Sequence, residues 1–436
     1  MEFKKGKALS SKAHKLIPGG CHTYAKGDDQ YPQEAPPFIQ RGAGCHVWDL
    51  DGNEFIEFGM GLRSVTLGHA YEPVVEAAYR QMLLGNNYTR PSPIEVEYAE
   101  ALLSVVPGAE QVKFSKDGSA VTTAAVKLAR AYTGREAVAL CADHPFFSYN
   151  DWFIGTTPMD AGIPPWASKQ SLSFRYNDPD SLEQLFHEHP GRIACVILEP
   201  ERDKPPVDDF LARVRDICTR NGAVLVFDEM ITGFRWSIGG AQELYGVQPD
   251  LCTFGKAIAN GFALSALLGR REIMNLGGID HDKARVFLLS TTHGAENHAL
   301  AAAHATLREY QSKDVIGHLH RQGDALRQGI EAITASLGIA DYFRVTGRSC
   351  NMAYATLDNS GSHSPEFRTL MLQELIRNHV IAPSLVVSYS HKDQDIDAVL
   401  AAFEKALAVY RQALESGVSR FLVGEPVKSV YRKFNR

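Results

Sequence analysis

The sequence lacks several patterns that would place it in a common class of protein. None of its apolar runs is long enough to cross a bilayer. Lysine and arginine number 45 against 51 acidic residues, a formal charge of −6, and no basic stripe suits nucleic acid. The basic first residues are not followed by the apolar stretch of a secretory signal. We therefore expect a cytoplasmic protein whose partners are small molecules, not nucleic acid or a membrane.

The seven cysteines show no spacing typical of a zinc site or a disulfide framework. They are odd in number and lie far apart, at positions 21, 45, 141, 195, 218, 252 and 350. This distribution predicts reduced thiols and no metal site. Cys195 and Cys252 fall inside apolar runs, where a thiol is usually a small buried hydrophobic group.

Two nucleotide-binding motifs are also incomplete. The segment 224–229 resembles a Walker B strand, but Gly255-Lys256 is not followed by serine or threonine, and Asp250 stands where a P-loop has glycine. No Gly-x-Gly-x-x-Gly follows an early strand. These absences disfavour an ATPase and a dehydrogenase.

Two apolar runs in the middle of the chain each end near one ionisable residue. Residues 223–227 lead into Asp228, and residues 251–254 lead into Gly255-Lys256. Their length fits buried strands of a parallel sheet, which binds ligands outside the carboxyl ends of its strands. An acid and an amine would meet there. A carboxylate on a pyridine nitrogen and a lysine that forms a Schiff base are the pair that pyridoxal phosphate needs. Either residue alone also fits a helix cap or an ordinary loop.

Helical and extended patterns alternate along the chain and predict an α/β fold. Ser92 to Glu95 form a capping box, and Val96, Ala99, Leu103 and Val106 are expected along the buried face of the helix that follows. A second amphipathic helix is predicted near the C-terminus and ends at Gly417. Its apolar positions are Ile396, Val399, Leu400, Phe403, Leu407, Tyr410 and Leu414.

Ordered motifs around the acid and the amine resemble those of the class III aminotransferases, most closely glutamate-1-semialdehyde 2,1-aminomutase and its relatives. They include 227–235, Gly239-Gly240, Pro249-Asp250 and Gly255-Lys256, with further matches at 15–20, 47–53, 67–70, 128–135 and 196–200. The resemblance implies an α/β, fold type I PLP-dependent transferase with a large, mainly parallel seven-stranded sheet. Residues 66–309 would form the large cofactor domain, and residues 1–65 and 310–436 a smaller α+β lobe built from both chain ends.

The resemblance also assigns residues to the cofactor, pyridoxal 5'-phosphate. Gly118 and Ser119, at the start of a helix, take the place of the family's phosphate-binding loop. The preceding Asp117 replaces the family's serine, and we expect its carboxylate to point away from the phosphate. Phe146 is the candidate for stacking on the pyridine ring, and Met230 for packing on its other face. Both also fit as ordinary core residues.

Further contacts follow from the same resemblance. Glu199 and Glu229 lie near the cofactor or the substrate in this family, and each also fits as a strand-end cap. Thr291, with Thr292 next to it, takes the place of a threonine that binds phosphate in the partner subunit. The resemblance therefore predicts a homodimer whose active sites lie at the interface.

The positions that face the substrate differ from the aminomutase pattern. Lys26 stands where an arginine binds the substrate carboxylate, and a lysine cannot form a bidentate fork. Arg63 replaces a small residue, and Arg202 lies in a charged loop after Glu199. Both arginines fit anion binding, and both equally fit structural ion pairs.

Two reactions remain open from the sequence. Lys256 as base and acid, with Asp228 on the ring nitrogen, predicts an aminotransferase that works through Schiff-base and pyridoxamine intermediates. The altered substrate positions favour transfer between two molecules, in the biosynthesis of surface polysaccharide or specialised metabolites. The alternative is an intramolecular aminomutase of the glutamate-1-semialdehyde type.

Overall fold

A computed structural model describes residues 1–435, which form two compact units. Unit 1 comprises Met1–Tyr71 and Gly317–Arg432, and unit 2 comprises Glu72–Ile316 with residues 433–435. Each unit therefore has its own core. The borders predicted from the sequence, after residues 65 and 309, lie a few residues before these.

Helices and strands alternate along the chain. The helices are α1 (Lys4–Leu16), α2 (Met60–Arg63), α3 (Glu72–Leu84), α4 (Pro93–Leu103), α5 (Gly118–Thr133), α6 (Asp151–Ile154), α7 (Pro165–Ser168), α8 (Pro179–Glu188), α9 (Phe210–Asn221), α10 (Ala241–Tyr245), α11 (Arg271–Met274), α12 (Asn297–Ser312), α13 (Val315–Leu337), α14 (Pro365–Arg377) and α15 (Asp393–Ser416). The strands are β1 (Ile39–Ala43), β2 (His46–Asp49), β3 (Glu54–Glu57), β4 (Gln111–Ser115), β5 (Ala137–Cys141), β6 (Ser171–Phe174), β7 (Ile193–Leu198), β8 (Val224–Asp228), β9 (Leu251–Phe254), β10 (Ser265–Gly269), β11 (Phe343–Arg348), β12 (Asn351–Thr356), β13 (Val380–Ile381) and β14 (Leu385–Val386).

Unit 2 is built on a seven-stranded sheet with the order β4-β10-β9-β8-β7-β5-β6. Strand β10 is antiparallel to both neighbours, and the remaining pairs are parallel. Every residue of β5, β7, β8, β9 and β10 is buried, as expected for strands covered on both faces. The predicted mainly parallel, seven-stranded sheet is confirmed.

Unit 1 contains two smaller sheets, β1-β2-β3-β13 and β11-β12-β14. Its first sheet joins the two chain ends, because β13 pairs parallel with β3 at Val380 and Ile56. Phe3, Phe55 and Ile376 belong to one buried apolar cluster there. The α+β lobe predicted from both chain ends therefore matches unit 1.

The two predicted amphipathic helices had different outcomes. In α4 the capping box of Ser92 and Glu95 is present, and the predicted buried face is right only in part. Val106 is buried and Ala99 and Leu103 are partly buried, but Val96 is 60% exposed, and the fully buried residues of the helix are Tyr98 and Leu102. Leu102 and Tyr98 are spaced by four residues, so a face rotated from the predicted one carries the larger side chains. The predicted positions of α15 are buried or partly buried, and Gly417 follows its last residue.

No helix among residues 1–435 is both long and apolar enough to cross a membrane. The seven cysteines have free thiols, as predicted, and six of them are buried.

Candidate functional site

The carboxyl ends of β8 and β9 bring an acid and a hydroxyl together. Asp228 pairs with Thr253 in the strand register, and its Oδ1 accepts hydrogen bonds from Thr253 Oγ1 at 3.2 Å and from Met230 N at 3.0 Å. Asp228 is 3% exposed, and burial raises the pKa of its carboxyl to about 6, although the Lys256 ammonium opposes this shift. The fold thus buries the Asp228 carboxyl within electrostatic reach of the Lys256 ammonium.

Lys256 follows β9 after a single glycine. Its φ of +46° is unusual for a residue with a side chain, and such backbone strain is often found at functional sites. Its positive charge lowers the pKa of both Asp228 and Glu199, so the amine lies within electrostatic reach of two buried carboxyls. The structure therefore brings together the two residues predicted to be catalytic.

Met230 marks where three segments of the site meet. A Cβ atom at Gly255 would lie 2.6 Å from its sulfur, and a Cβ atom at Gly118 would lie 3.2 Å from it. Only glycine fits without displacement at position 255, beside Lys256, and position 118 is also tight. The Met230 side chain therefore packs against both glycines and brings the start of α5, the end of β8 and the segment before Lys256 together.

Helix α5 begins at the predicted phosphate loop. Asp117 caps it, because its Oδ1 accepts the amide of Ala120 at 2.9 Å. Ser119 is 4% exposed, and its Oγ accepts the amide of Tyr149 at 3.1 Å, which leaves its own hydroxyl proton available as a donor. A helix start and a buried hydroxyl suit an anion at Gly118 and Ser119, and that role stays a prediction.

The aromatic segment after β5 splits into a buried and an accessible ring. Phe147 is 2% exposed and packs edge-on against Phe153 and His144. Phe146 is 46% exposed and contacts Phe153 edge-on, with ring centroids 5.8 Å apart. Phe146 thus keeps a ring surface for the predicted stacking, which remains a prediction.

A polar group at the end of β7 adds a residue that the sequence did not reveal. His144 Nδ1 accepts the amide of Glu199 at 3.0 Å, and burial lowers the pKa of this imidazole to about 3. The ring is thus neutral and holds the backbone of Glu199. The available signal was a histidine three residues after the end of the buried strand β5, which lies next to β7 in the sheet.

Glu199 is a buried carboxyl whose charge is weakly compensated. Burial raises its pKa to about 7, and the Arg202 guanidinium lies 4.0 Å from its Oε1. Among residues 1–435, no hydrogen-bond partner reaches Oε2. Arg202 also lies 3.6 Å from Asp203, so its guanidinium sits between two acids. Glu199, which was predicted to lie near the cofactor, and Arg202, which was predicted to bind the substrate, are thus neighbours.

Glu229 has the alternative role proposed for it, that of a cap. Its two oxygens accept the amides of Ala241 and Gln242 at 2.8 Å each, and Thr232 Oγ1 donates to it as well. The residue is fully buried at the start of α10. Both oxygens of Glu229 are used by the fold, which favours the cap, and its contact with the substrate stays a prediction.

Thr291 and Thr292 lie in an exposed turn of unit 2. Gly294 N donates to Thr291 O at 3.3 Å, and Asn87 Nδ2 donates to Thr292 O at 3.1 Å. Both threonine side chains are exposed in the single chain. This placement leaves them accessible to another subunit.

The other two substrate candidates belong to unit 1. Lys26 is exposed and lines a cavity of about 1090 Å³, whose wall also holds the Glu57–His69 ion pair of 2.6 Å. Arg63 is half-buried and donates from Nε to Asn351 Oδ1 at 2.8 Å. It ends a turn in which residues 60 to 63 all have positive φ. Arg63 is therefore held by the fold, whereas Lys26 points to open space.

Comparison with known proteins agrees with this geometry. Residues 28–407 match the family Aminotransferase class-III. The chain is 34% identical over 423 residues to a glutamate-1-semialdehyde 2,1-aminomutase of Acetivibrio thermocellus, covering 92% of this chain and 97% of that one. It is 32% identical to the enzyme of the same name from Methanothermobacter thermautotrophicus, over 93% of this chain and 99% of that one.

Solved structures are similar over nearly the whole chain. The PLP internal aldimine form of the FumI protein of Sphingopyxis sp. MTA144 superposes with a TM-score of 0.87 at 30% identity, covering 97% of this chain and 99% of that one. An omega-transaminase from Sphaerobacter thermophilus gives a TM-score of 0.84 at 26% identity, covering 93% and 98%. The fold is that of the fold type I PLP-dependent transferases. With the fold and the long sequence match in agreement, the chain belongs to the class III aminotransferase family.

Proposed function

We propose that this protein is an aminotransferase that moves an amino group from a donor to a carbonyl substrate. The cofactor is pyridoxal 5'-phosphate, which when bound draws electrons from the carbon that carries the transferred nitrogen. The observation that carries the proposal is the convergence of the Lys256 amine and the buried Asp228 carboxyl at the ends of adjacent strands.

Lys256 has the role of the base and acid. A proton must leave one carbon and reach another, and a single amine at Nζ can accept it and return it. Two buried carboxyls, Asp228 and Glu199, lie within electrostatic reach of this amine. The strained backbone at φ +46° sets the direction in which the side chain leaves the strand end.

Asp228 has the role of the fixed anion. Its carboxylate accepts hydrogen bonds from Met230 N and Thr253 Oγ1, which orient it and leave Oδ2 to face a ring nitrogen. In a buried site, a protonated ring nitrogen would act as a full positive partner. It would lower the pKa of Asp228 and hold the carboxyl ionised.

We extend the proposal to a homodimer in which Thr291 and Thr292 bind the phosphate of the partner subunit's cofactor. Their exposure in the single chain, and their place within the family resemblance, support this. Mixing two inactive variants tests it. Lys256→Ala chains combined with Thr291→Ala, Thr292→Ala chains should regain part of the activity, because one site of each mixed dimer is intact. If dimers shown to contain one chain of each variant remain inactive, the proposal that each active site uses residues of both subunits is contradicted.

The aminomutase is the second candidate, because several relatives at 32–34% identity carry that name. The substrate positions speak for two-substrate transfer instead: Lys26 lacks the fork of an arginine, and Arg63 is engaged with Asn351. Precursors of surface polysaccharide or specialised metabolites, as larger and more polar carbonyl compounds, fit our proposal.

One experiment separates the two reactions. The purified protein is incubated with glutamate or alanine, and the cofactor absorbance is followed as the nitrogen is transferred. Full conversion by a simple donor supports transfer between two molecules. Inertness to all simple donors, with turnover of glutamate-1-semialdehyde, would establish the aminomutase. The Asp228→Asn variant should slow either reaction by about 10²-fold or more while keeping the cofactor bound.

A further inference from the structure

Three potential metal ligands meet in unit 1. Cys45 precedes β2, His46 begins it, and Asp395 lies in the first turn of α15. The thiol sulfur, an imidazole nitrogen and a carboxylate oxygen lie within 4.8 Å of one another. Cys45 is 1% exposed and Asp395 5%, so these two side chains are shielded from solvent.

The imidazole of His46 has a carboxylate beside each ring nitrogen. His46 Nε2 is hydrogen-bonded to Asp395 Oδ1 at 3.0 Å, and Nδ1 lies 2.8 Å from Glu54 Oε1. Among residues 1–435, Nδ1 has no hydrogen-bond partner. Nε2 and Asp395 Oδ1 are thus close enough to bind one cation together.

The surrounding groups hold the carboxylate and the thiol in place. Asp395 Oδ2 accepts the amide of Lys392 at 2.9 Å, which fixes the carboxylate and leaves Oδ1 toward the cluster. The Lys392 ammonium donates to Tyr389 O at 2.8 Å and lies over the Tyr389 ring. The Cys45 thiol donates to Ser390 O at 3.6 Å.

We propose that Cys45 Sγ, His46 Nε2 and Asp395 Oδ1 bind a divalent cation, with Zn²⁺ as the best fit, and so join strand β2 to helix α15. Thiolate, imidazole and carboxylate are all zinc ligands, and a tetrahedral ion separates such atoms by about 3.3 to 3.6 Å. The present separations need only small side-chain movements to reach that range. The fourth position belongs to water, because the His46 side chain is 31% exposed.

Glu54 would then have a supporting role. A carboxylate beside the nitrogen that does not bind metal is the usual partner of a metal-bound histidine, since it fixes the tautomer and the ring orientation. On binding, the thiol proton leaves to solvent and the sulfur binds as thiolate, so no oxidant or reductant is required.

Zinc content tests the proposal. The cofactor-loaded protein is stripped with a chelator, equilibrated with Zn²⁺, freed of excess ion, and measured by elemental mass spectrometry. We expect one zinc per chain in the wild type. Co²⁺ in place of zinc should give an absorption band from sulfur-to-metal charge transfer, which reports the Cys45 thiolate directly.

The variants define the ligands. Cys45→Ser should abolish the cobalt band, His46→Gln should weaken zinc binding at least about 10-fold, and Glu54→Gln should weaken it by about 10-fold. The control is Cys350→Ser, another buried thiol of unit 1, which should bind zinc like the wild type. The His46→Gln change lies on a half-exposed side chain, and retained cofactor absorbance reports that each variant is folded.

The contrary results are equally specific. A wild-type zinc content at background level would overturn the site, as would equal zinc binding in wild type, Cys45→Ser and His46→Gln. In either case the cluster holds no ion, and His46 Nε2 is simply hydrogen-bonded to Asp395. This readout does not depend on aminotransferase activity, so the two proposals can fail separately.

Discussion

The strand ends of unit 2 and the irregular segments of unit 1 hold their functional candidates in different ways. Asp228, the last residue of the buried strand β8, is 3% exposed, and its carboxylate accepts the amide of Met230. Glu199, the residue after the buried strand β7, is 5% exposed, and its amide donates to His144. Lys26 lies exposed in a short 3₁₀ turn, and Arg63 ends a turn of four positive-φ residues. The sheet thus carries the groups proposed for the chemistry, and loops carry the groups proposed to choose the substrate.

This difference has a physical basis. The hydrogen-bonded pairing of the whole sheet fixes the position of a residue at the end of a buried strand. Moving such a residue would therefore disturb the sheet. A residue on a loop can be replaced without disturbing a core. Substitutions in the two regions should therefore differ in both size and kind.

The largest effect is expected for Lys256→Ala. It removes the amine that moves the proton, so the transfer rate should fall by roughly 10³-fold or more. The measurement is steady-state turnover with a donor that converts the wild type. Lys204→Ala, on the exposed loop after Glu199, serves as control and should keep near wild-type turnover. An active Lys256→Ala protein would refute the catalytic assignment.

Glu229→Gln should affect stability more than catalysis. The change leaves buried amides of α10 facing a weaker acceptor, which costs about 1 to 3 kcal/mol of unfolding free energy. We expect a lower Tm, with KM for the substrate within about 2-fold of wild type. Glu243→Gln is the matched control, since this exposed residue caps the neighbouring Gly239 amide. A large KM change with unaltered Tm would support the substrate role of Glu229.

Glu199 should make stability depend on pH. Its folded pKa of about 7 lies above the ordinary 4.5, so the folded chain holds the proton more tightly than the unfolded chain. This contribution is present at low pH and is lost as the pH rises through about 7. The Tm of the wild type minus that of Glu199→Gln should therefore fall between about pH 5 and about pH 8. A difference that grows with pH would mean that the carboxylate form is the stabilised one.

The smallest effect is expected at Lys26. Lys26→Ala removes a single exposed charge from the cavity wall, so KM for an anionic substrate should rise by up to about 10-fold while kcat changes little. Lys26→Arg should keep KM near the wild-type value. Substrate kinetics at low and high salt check the result, because an exposed charge is screened. If Lys26→Ala lost as much kcat as Lys256→Ala, the proposed difference between the strand ends of unit 2 and the irregular segments of unit 1 would be wrong.

Much of the unit 2 sheet could be predicted from the sequence, because its signals are local. Buried strands read as continuous apolar runs, and the residues that follow them, Asp228 and Lys256, lie at one edge in any parallel arrangement. The capping box at Ser92 could also be predicted from local sequence. The buried face of α4 could not be predicted in this way, because the neighbouring elements decide which side of a helix is covered.

Other residues were outside the reach of sequence reasoning. His144 could be placed only once β5 and β7 were known to be neighbours. Glu229 is a cap because α10 begins beside it, although twelve residues of chain separate it from Ala241. The spacing of the cysteines predicted no metal site, yet Asp395 reaches the Cys45-His46 pair from the far end of the chain.

The sequence by itself determined the family, the α/β class, the cofactor and the acid and amine at two strand ends, because motifs and apolar runs are read within a few residues. Only the tertiary structure decided which carboxyls are buried, which are caps and which basic groups stay exposed. Those properties depend on packing between segments far apart in the chain, where burial changes the cost of charge and backbone amides compete for each oxygen.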